Sequence, residues 1–427
     1  MLASASRTMV KPQLPDSKQT DPVRVPSARQ SWLLLAASFI TFTVGAACMQ
    51  SYTVFLVAFI EAFGWSRGES SIAYAVSQLI SGATSPLVGV LVDRLGPRRL
   101  VLIGGVLLAL GLVASAFVDA LWQLILLYGV VMTLGANCLG LVVFVPVLSQ
   151  RFVHNRGMAV AIVQSANGFA RAYSAPLSQA LIAGVGWRGA YLALGGFMAA
   201  AVLPLAALFR GAEPAHPVAG EGAARASWTL RRAMRTRHFW LLFLVYVFTG
   251  LGSFLVALHQ LAFAVTVGFD RLYAAGVLGF GAFLSLPGVI VTGWLSDRIG
   301  RELSAVITYG TSIFGVACAM LITAPDQHLL LWLHACFFGL TWGARGPSIT
   351  AKTADLFPGP QLGTILGAIT MGTGVGSALG SWLAGWSFDL TGSYRVAFTL
   401  SILFYACGSV AFWLLRRPAA EDRSGPA

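Results

Sequence analysis

Long, continuously apolar runs alternate with short charged or Gly-rich turns along almost the whole chain. The first run extends from Trp32 to about Phe63. Those that follow predict helices over 70–92, 100–117, 121–150, 157–184 and 188–209, then 239–267, 271–296, 303–323, 328–355, 361–387 and 394–415. A helix of ~20 apolar residues crosses a bilayer, whereas a membrane β-barrel would show ~10-residue segments of alternating polarity. Continuity and length both favour helices. The expected fold class is all-α: a polytopic membrane protein, twelve transmembrane helices in two pseudo-symmetric six-helix halves. The divisions are a disordered tail (1–30), an N-terminal half (31–210), a linker (211–238), a C-terminal half (239–416) and a short tail (417–427).

A charged hairpin separates the second and third runs: Gly89-Val90-Leu91-Val92-Asp93-Arg94-Leu95-Gly96-Pro97-Arg98-Arg99. A near copy returns between the eighth and ninth: Gly293-Trp294-Leu295-Ser296-Asp297-Arg298-Ile299-Gly300-Arg301. Gly89, Leu91, Asp93, Arg94 and Gly96 align without a gap on Gly293, Leu295, Asp297, Arg298 and Gly300. One such turn is ordinary; two at matching places indicate a duplicated six-helix unit.

The pattern G-x-L-x-D-R-x-G-x-R-R resembles the loop 2–3 signature of the major facilitator superfamily of secondary transporters. The resemblance implies that Asp93 and Asp297, with Gly89, Arg94, Gly293 and Arg298 around them, belong to a device that locks one access state. Narrower stretches are similar to the bacterial monocarboxylate porters of that superfamily. They are Phe63-Gly64-Trp65-Ser66-Arg67 with Ser70-Ser71, Arg151-Phe152-Val153-His154-Asn155-Arg156-Gly157-Met158-Ala159, and Gly186-Trp187-Arg188-Gly189-Ala190-Tyr191. Porters of that family often carry a cation on helix 8 for the substrate carboxylate; here the stretch from Ala274 to Trp294 has no charge.

Composition agrees with a lipid-solvated chain. Of 427 residues 57% are hydrophobic and 10% charged, against about 25% charged in soluble domains. The net charge of +12 could suggest nucleic acid, but its distribution does not. Of 28 Lys and Arg, 22 fall in loops and termini on one side, 4 on the other and 2 inside helices. The rich side is expected to be cytoplasmic, with both termini and the linker, in a bacterial inner membrane. The N-terminal tail has no short apolar core with a cleavage site, so it does not read as a signal peptide. The five cysteines lie inside apolar runs without metal-type spacing and read as packing residues. No cofactor is expected; no Walker-type phosphate loop occurs, so ATP is not the driver.

Ionisable groups inside a membrane cost about 2.5–3.5 kcal/mol on insertion scales and persist where they face a cavity or a partner. Two fall near helix centres: Arg171 on helix 5 and Arg345 on helix 10, one in each half. Two guanidinium groups facing a central cavity would attract an anion, and their planar forks suit a carboxylate. Arg171 shares a face with Gln164, Asn167, Ser174 and Ser178 at three- and four-residue spacing. Thr341, Ser348 and Lys352 flank Arg345 in the same way. Asn137 on helix 4, Gln50 and Tyr52 on helix 1, and Gln260 with Thr249 and Ser253 on helix 7 complete the candidate lining. Many such Ser and Thr only bond their own backbone or join helices. Acids stay near the helix ends: Glu61, Glu69 and Asp389 on one side, Asp93, Asp297 and Asp355 on the other. His259 has the right chemistry to carry a proton, although its face is offset from the helix 7 stripe.

These residues predict a monomeric secondary transporter for a small organic anion, monocarboxylate-like, working by alternating access as a proton symporter. Its partners are the substrate, the bilayer and protons. Anion exchange, or efflux of another carboxylate or drug-like compound, is the alternative within the class, and a non-transporting membrane ligand sensor is the alternative outside it. A membrane enzyme would need a nucleophile–base pair or a metal cluster at one depth, which the scattered histidines do not supply. Drug–proton antiporters of the superfamily carry Gly-Pro on helix 5, where this chain has Gly168-Phe169-Ala170-Arg171. A sugar carrier would want carboxylates in the cavity, opposite in sign to these arginines.

Overall fold

The computed structural model describes residues 28–152, 156–209, 228–357 and 361–416. Most of the expected N-terminal tail and linker, and the expected C-terminal tail, lie outside that range; residues 28–30, expected in the tail, begin the first helix. Span 1 is α1 (Ala28–Gln50) and α2 (Tyr52–Phe63); span 2 is α3 (Arg67–Leu95); span 3 is α4 (Pro97–Ser115). Span 4 runs through α5 (Leu121–Leu124), a π-helical stretch (Ile125–Met132), α6 (Thr133–Asn137) and α7 (Leu141–Arg151). Spans 5 and 6 form one long element, α8 (Arg156–Leu205), folded at Gly186 with φ 72° and ψ 167°. After the short α9 (Leu230–Ala233), span 7 is α10 (Arg237–Ala257) with α11 (Gln260–Val267), and span 8 is α12 (Arg271–Phe283) with α13 (Ser285–Ile299). Span 9 is α14 (Arg301–Leu321), span 10 is α15 (His328–Leu340) with α16 (Arg345–Leu356), span 11 is α17 (Leu362–Thr391) and span 12 is α18 (Arg395–Trp413).

Eight stretches of the described residues are long and apolar enough to cross a bilayer on length and composition alone, and the one over 162–209 holds two crossings. Spans 2, 10 and 11 fall short of that measure for physical reasons. Span 10 is interrupted. Spans 2 and 11 are rich in Gly, Ser and Thr, and they pack against each other. Small residues allow that approach: a Cβ on Gly385 would lie 2.5 Å from the Arg67 carbonyl oxygen. Span 5 meets span 8 in the same manner, with a Cβ on Gly279 only 2.4 Å from the Ala172 carbonyl oxygen.

The apolar core divides accordingly. One cluster draws on residues from Leu34 to Phe209, with Leu258 added. The other draws on residues from Ala233 to Leu415, with Val54 added. The duplication is visible at the hairpins. α3 stops at Gly96 (φ 78°, ψ 157°) and α13 stops at Gly300 (φ 92°, ψ 154°), so the same left-handed turn recurs. Positive φ explains glycine at both places. Asp93 and Asp297 sit three residues before these turns.

Several spans expected as single helices are broken. Ser51 parts α1 from α2, its hydroxyl donating to the Cys48 carbonyl at 2.7 Å, a back-bond that bends helices. Leu258 and His259 part α10 from α11, Leu284 parts α12 from α13, and residues 341–344 part α15 from α16, with Gly343 at φ 74°. Spans 8 and 10 cross closely near this last break. A Cβ on Gly281 would lie 2.2 Å from the Ala335 carbonyl oxygen. Gly281→Val is therefore expected to cost about 1–3 kcal/mol through overpacking, measured as a lower melting temperature in detergent. Gly276→Val on the same helix, where no atom lies within 4 Å of an added Cβ, serves as its control.

Candidate functional site

A cavity of about 390 Å³ lies between the halves. Its two walls differ in chemistry. The N-terminal half supplies Gln50, Tyr74, Ser77, Gln78, Ser81, Tyr128, Thr133, Asn137, Asn167, Arg171 and Ser174, with Phe42 and Met49 among them. The C-terminal half supplies Phe254, Ala257, Leu261, Ala275, Leu278, Gly279, Ala282 and Trp342, with Gln260 as the one amide side chain among its described lining residues. The breaks in the helices serve this wall: Gln260 begins α11 just after one, and Trp342 lies within another. The π-helical stretch of span 4 carries Tyr128 to the cavity, and local π geometry is frequent at functional sites.

Arg171 is the only charged side chain among the described lining residues. Its guanidinium carbon lies 3.8 Å from the centre of the Trp342 ring. A cation over the indole face is stabilised by the ring quadrupole, and the more so away from water. Stacking covers a face of the guanidinium plane and leaves its edge. The Arg171 Nη1 is buried and without a hydrogen-bond partner among the described residues, which leaves a charged donor that an anion reaching it can engage. An aromatic series continues from there. Phe254 meets Trp342 edge-on at 5.3 Å, Tyr74 lies 5.8 Å from Phe254, and Tyr128 stacks 6.2 Å from Tyr74.

The amides differ in how free they are. Gln50 donates through Nε2 to Asn167 Oδ1 at 2.9 Å, a bond that ties span 1 to span 5 across the cavity wall. Asn137 is engaged with span 2: its Oδ1 accepts from the Ser81 hydroxyl at 2.9 Å and its Nδ2 donates to Thr84 Oγ1 at 2.8 Å and to the Ser81 carbonyl at 3.2 Å. Asn137 therefore stands on the wall while its polar atoms hold spans 2 and 4 together. Gln260 faces the cavity.

Other candidates lie elsewhere. Arg345 is 3% exposed and absent from the described cavity lining. Its guanidinium is packed 4.5 Å from the Tyr309 ring centre and 4.6 Å from that of Tyr405, and it donates to Ser312 Oγ and the Thr308 carbonyl. Of the expected pair of arginines, this structure places Arg171 among the described lining residues, while spans 9 and 12 enclose Arg345. Tyr52 is fully buried, stacked 4.1 Å from Tyr128, with its hydroxyl donating to the Ser70 carbonyl at 2.5 Å. Gln164 is exposed and outside the described lining. Thr249 bonds Tyr309 at 2.6 Å, Ser253 bonds Tyr405 at 3.0 Å, and Lys352 pairs with Glu302 at 2.6 Å, all inside the C-terminal half. On the hairpins, Arg94 is exposed and Arg298 lies over the Trp294 ring at 4.3 Å.

His259 is not on the cavity wall either. It is fully buried in a seal at the face opposite the two hairpins. Its Nε2 lies 3.0 Å from Ser71 Oγ of the other half and 3.1 Å from the Ser381 carbonyl, and its Nδ1 lies 3.4 Å from the Tyr394 hydroxyl. Arg67 anchors the same seal. Its guanidinium donates to Thr266 Oγ1 at 2.8 Å and to the Tyr394 hydroxyl, and lies 4.0 Å from the Phe388 ring centre. The Asp389 carboxylate accepts from the Arg67 and Gly68 backbone N–H groups at 2.9 and 2.7 Å, closing the positive end of α3 from across the boundary. Glu61 and Arg271 form an ion pair between the halves. Sequence reasoning placed Asp389 near one membrane face and Arg67 in a porter-like motif, without bringing the two together.

Comparison with known proteins agrees with this architecture. Monocarboxylate transporter 13 of Bos taurus is 28% identical over 388 residues, covering 90% of this chain and 89% of the relative. Monocarboxylate transporter 2 of Homo sapiens is 25% identical over 436 residues, covering 95% and 88%. A bacterial homologue of the human lysosomal transporter Spinster, solved in an inward-facing and unoccupied conformation, superposes with a TM-score of 0.73 at 15% identity, covering 94% of this chain and all of that one. Residues 33–351 match the Major Facilitator Superfamily. With two six-helix halves, a cavity between them and that match over most of its length, the chain belongs to the Major Facilitator Superfamily of secondary transporters.

Proposed function

We propose that the protein carries a small organic anion, a monocarboxylate in the broad sense, across a bacterial inner membrane. The observation that supports this most is Arg171: a cation on the cavity wall, backed by Trp342, with a buried donor unused and no acid among the described lining residues. A bound carboxylate would supply the missing negative charge. Relatives named for monocarboxylate transport point the same way. The basic side faces the cytoplasm in this proposal, so the sealed face is external, and the halves rock about the cavity to exchange access.

The proposed energy source is a proton moving with the anion, which offsets the cost of bringing negative charge into an inside-negative cell. His259 contacts both halves at the seal, a position that water reaches only when that face opens. Counterflow in proteoliposomes tests the proposal. External labelled propionate should accumulate in vesicles preloaded with propionate, and an inward proton gradient should speed uptake. Propionamide should do neither. Equal uptake of acid and amide would overturn the anion, binding without counterflow would favour the sensor alternative, and uptake that follows internal anion but ignores the proton gradient would favour exchange.

A further inference from the structure

The two walls of the cavity set requirements on more than the charge of the substrate. The cation and nearly all the hydrogen-bonding side chains come from the N-terminal half. The facing surface is mostly hydrocarbon and aromatic: Phe254, Leu261, Leu278 and Trp342 with small alanines between, and Gln260 as its one amide. A carboxylate on the Arg171 edge would leave the rest of its molecule against that surface. Apolar groups placed there gain about 25 cal/mol for each Å² removed from water. A hydroxyl or second carboxylate turned toward Phe254 and Leu278 would lose its hydration without a partner there.

Size points in the same direction. A protein cavity of about 150 Å³ accommodates one benzene molecule; this one holds about 390 Å³. At about 30 Å³ per liquid water, a three-carbon acid would leave most of the space to solvent. The number of charges is limited too. With Arg345 enclosed behind Tyr309 and Tyr405, the described wall presents a single cation.

We infer that the substrate is an amphipathic monoanion: one carboxylate held by Arg171, and a bulky apolar body, an aromatic ring above all, laid against Phe254 and Leu278 of the C-terminal half. The inference rests on the anion proposal above and adds the body. It also links substrate to conformational change, because the head engages one half and the body the other. A short acid would still engage Arg171 but make fewer contacts with the C-terminal half, and should be carried more slowly than one with an apolar body.

The test is a matched ligand set on purified protein, read as dissociation constants by calorimetry. Propionate and 3-phenylpropionate differ by one ring; 3-phenylpropionamide removes the charge; phenylsuccinate adds a second carboxylate. The expected order has 3-phenylpropionate at least tenfold tighter than propionate, and tighter than both its amide and phenylsuccinate. Phe254→Ala should weaken 3-phenylpropionate binding more than propionate binding, and so shrink the ratio between the two acids severalfold. Equal affinity for propionate and 3-phenylpropionate in the parent protein would overturn the apolar body and leave the anion proposal standing. Phenylsuccinate binding as tightly as 3-phenylpropionate would overturn the single charge. Equal affinity for 3-phenylpropionate and its amide would overturn the anion proposal and this inference with it. The ligand series needs no variant, so a poorly folding Phe254→Ala leaves the question decidable.

Discussion

A cysteine placed in the cavity at Gln78 is expected to react with an impermeant maleimide, added at the sealed face, roughly 5- to 30-fold faster when Arg67 is replaced by alanine. The background for both measurements would lack the five native cysteines. The Arg67 side chain joins α3 of one half to Thr266, Phe388 and Tyr394 of the other. Hydrogen bonds from charged groups contribute about 1.5–3 kcal/mol each when buried. This site is half-buried, and solvent screening reduces the total to about 1–2 kcal/mol. Those contacts exist only while the face is closed, so their whole loss biases the equilibrium toward opening. The ratio follows at about 1.4 kcal/mol for each factor of ten. Arg67→Ala leaves the bonds from the α3 backbone to Asp389 in place, so Asp389→Ala should add its own increment, and the double variant should exceed either. Unchanged labelling in all three would mean that the packing of spans 2 and 11, rather than this cluster, holds the face shut.

How much of this was legible in the sequence follows from what each signal depends on. Burial in lipid imposes a run of apolar residues of fixed minimum length, so most of the helices could be read directly, and duplication left Gly96 and Gly300 in matching turns. The direction a side chain faces is another matter. Gln164, Asn167 and Arg171 keep helical spacing, yet Gln164 falls outside the lining that takes the other two. Tyr52 looks like an accessible polar ring in sequence and is a fully buried stacking partner in the fold. Trp342 and Phe254 were unreadable as lining because an aromatic residue in an apolar run has the same appearance whether it meets lipid, core or cavity. Gly343 beside Trp342 was the one available hint, since its positive φ accompanies the break that turns the indole toward Arg171. The seal was hidden by distance along the chain: Arg67 and Asp389 are 322 residues apart.

The two membrane arginines, alike in sequence, are expected to separate sharply on substitution. Arg171→Gln should weaken binding of the proposed anion by about 1.5–3 kcal/mol, the range for a charge-assisted hydrogen bond, or roughly 10- to 130-fold. Glutamine still offers a donor, but it supplies no charge and cannot stack on Trp342 as the planar cation does. Arg171→Lys should recover only part of the loss, because an ammonium lacks the fork that matches a carboxylate. Arg345→Gln should change anion affinity by no more than about twofold, a ceiling set by its lack of contact with the cavity. Its effect should appear in stability instead. The Arg345 cation is 3% exposed between two tyrosine rings and has no ion pair among the described residues, so part of its burial cost is uncompensated. Removing such a charge is often neutral or stabilising when the space is refilled, and Arg345→Met should hold or raise the melting temperature of the ligand-free protein. Binding and melting measured on the same preparations distinguish the two residues. If Arg345→Gln lowered anion affinity as far as Arg171→Gln does, the enclosed guanidinium would have to reach the substrate, and spans 9, 10 and 12 would have to part in the binding state to let it through.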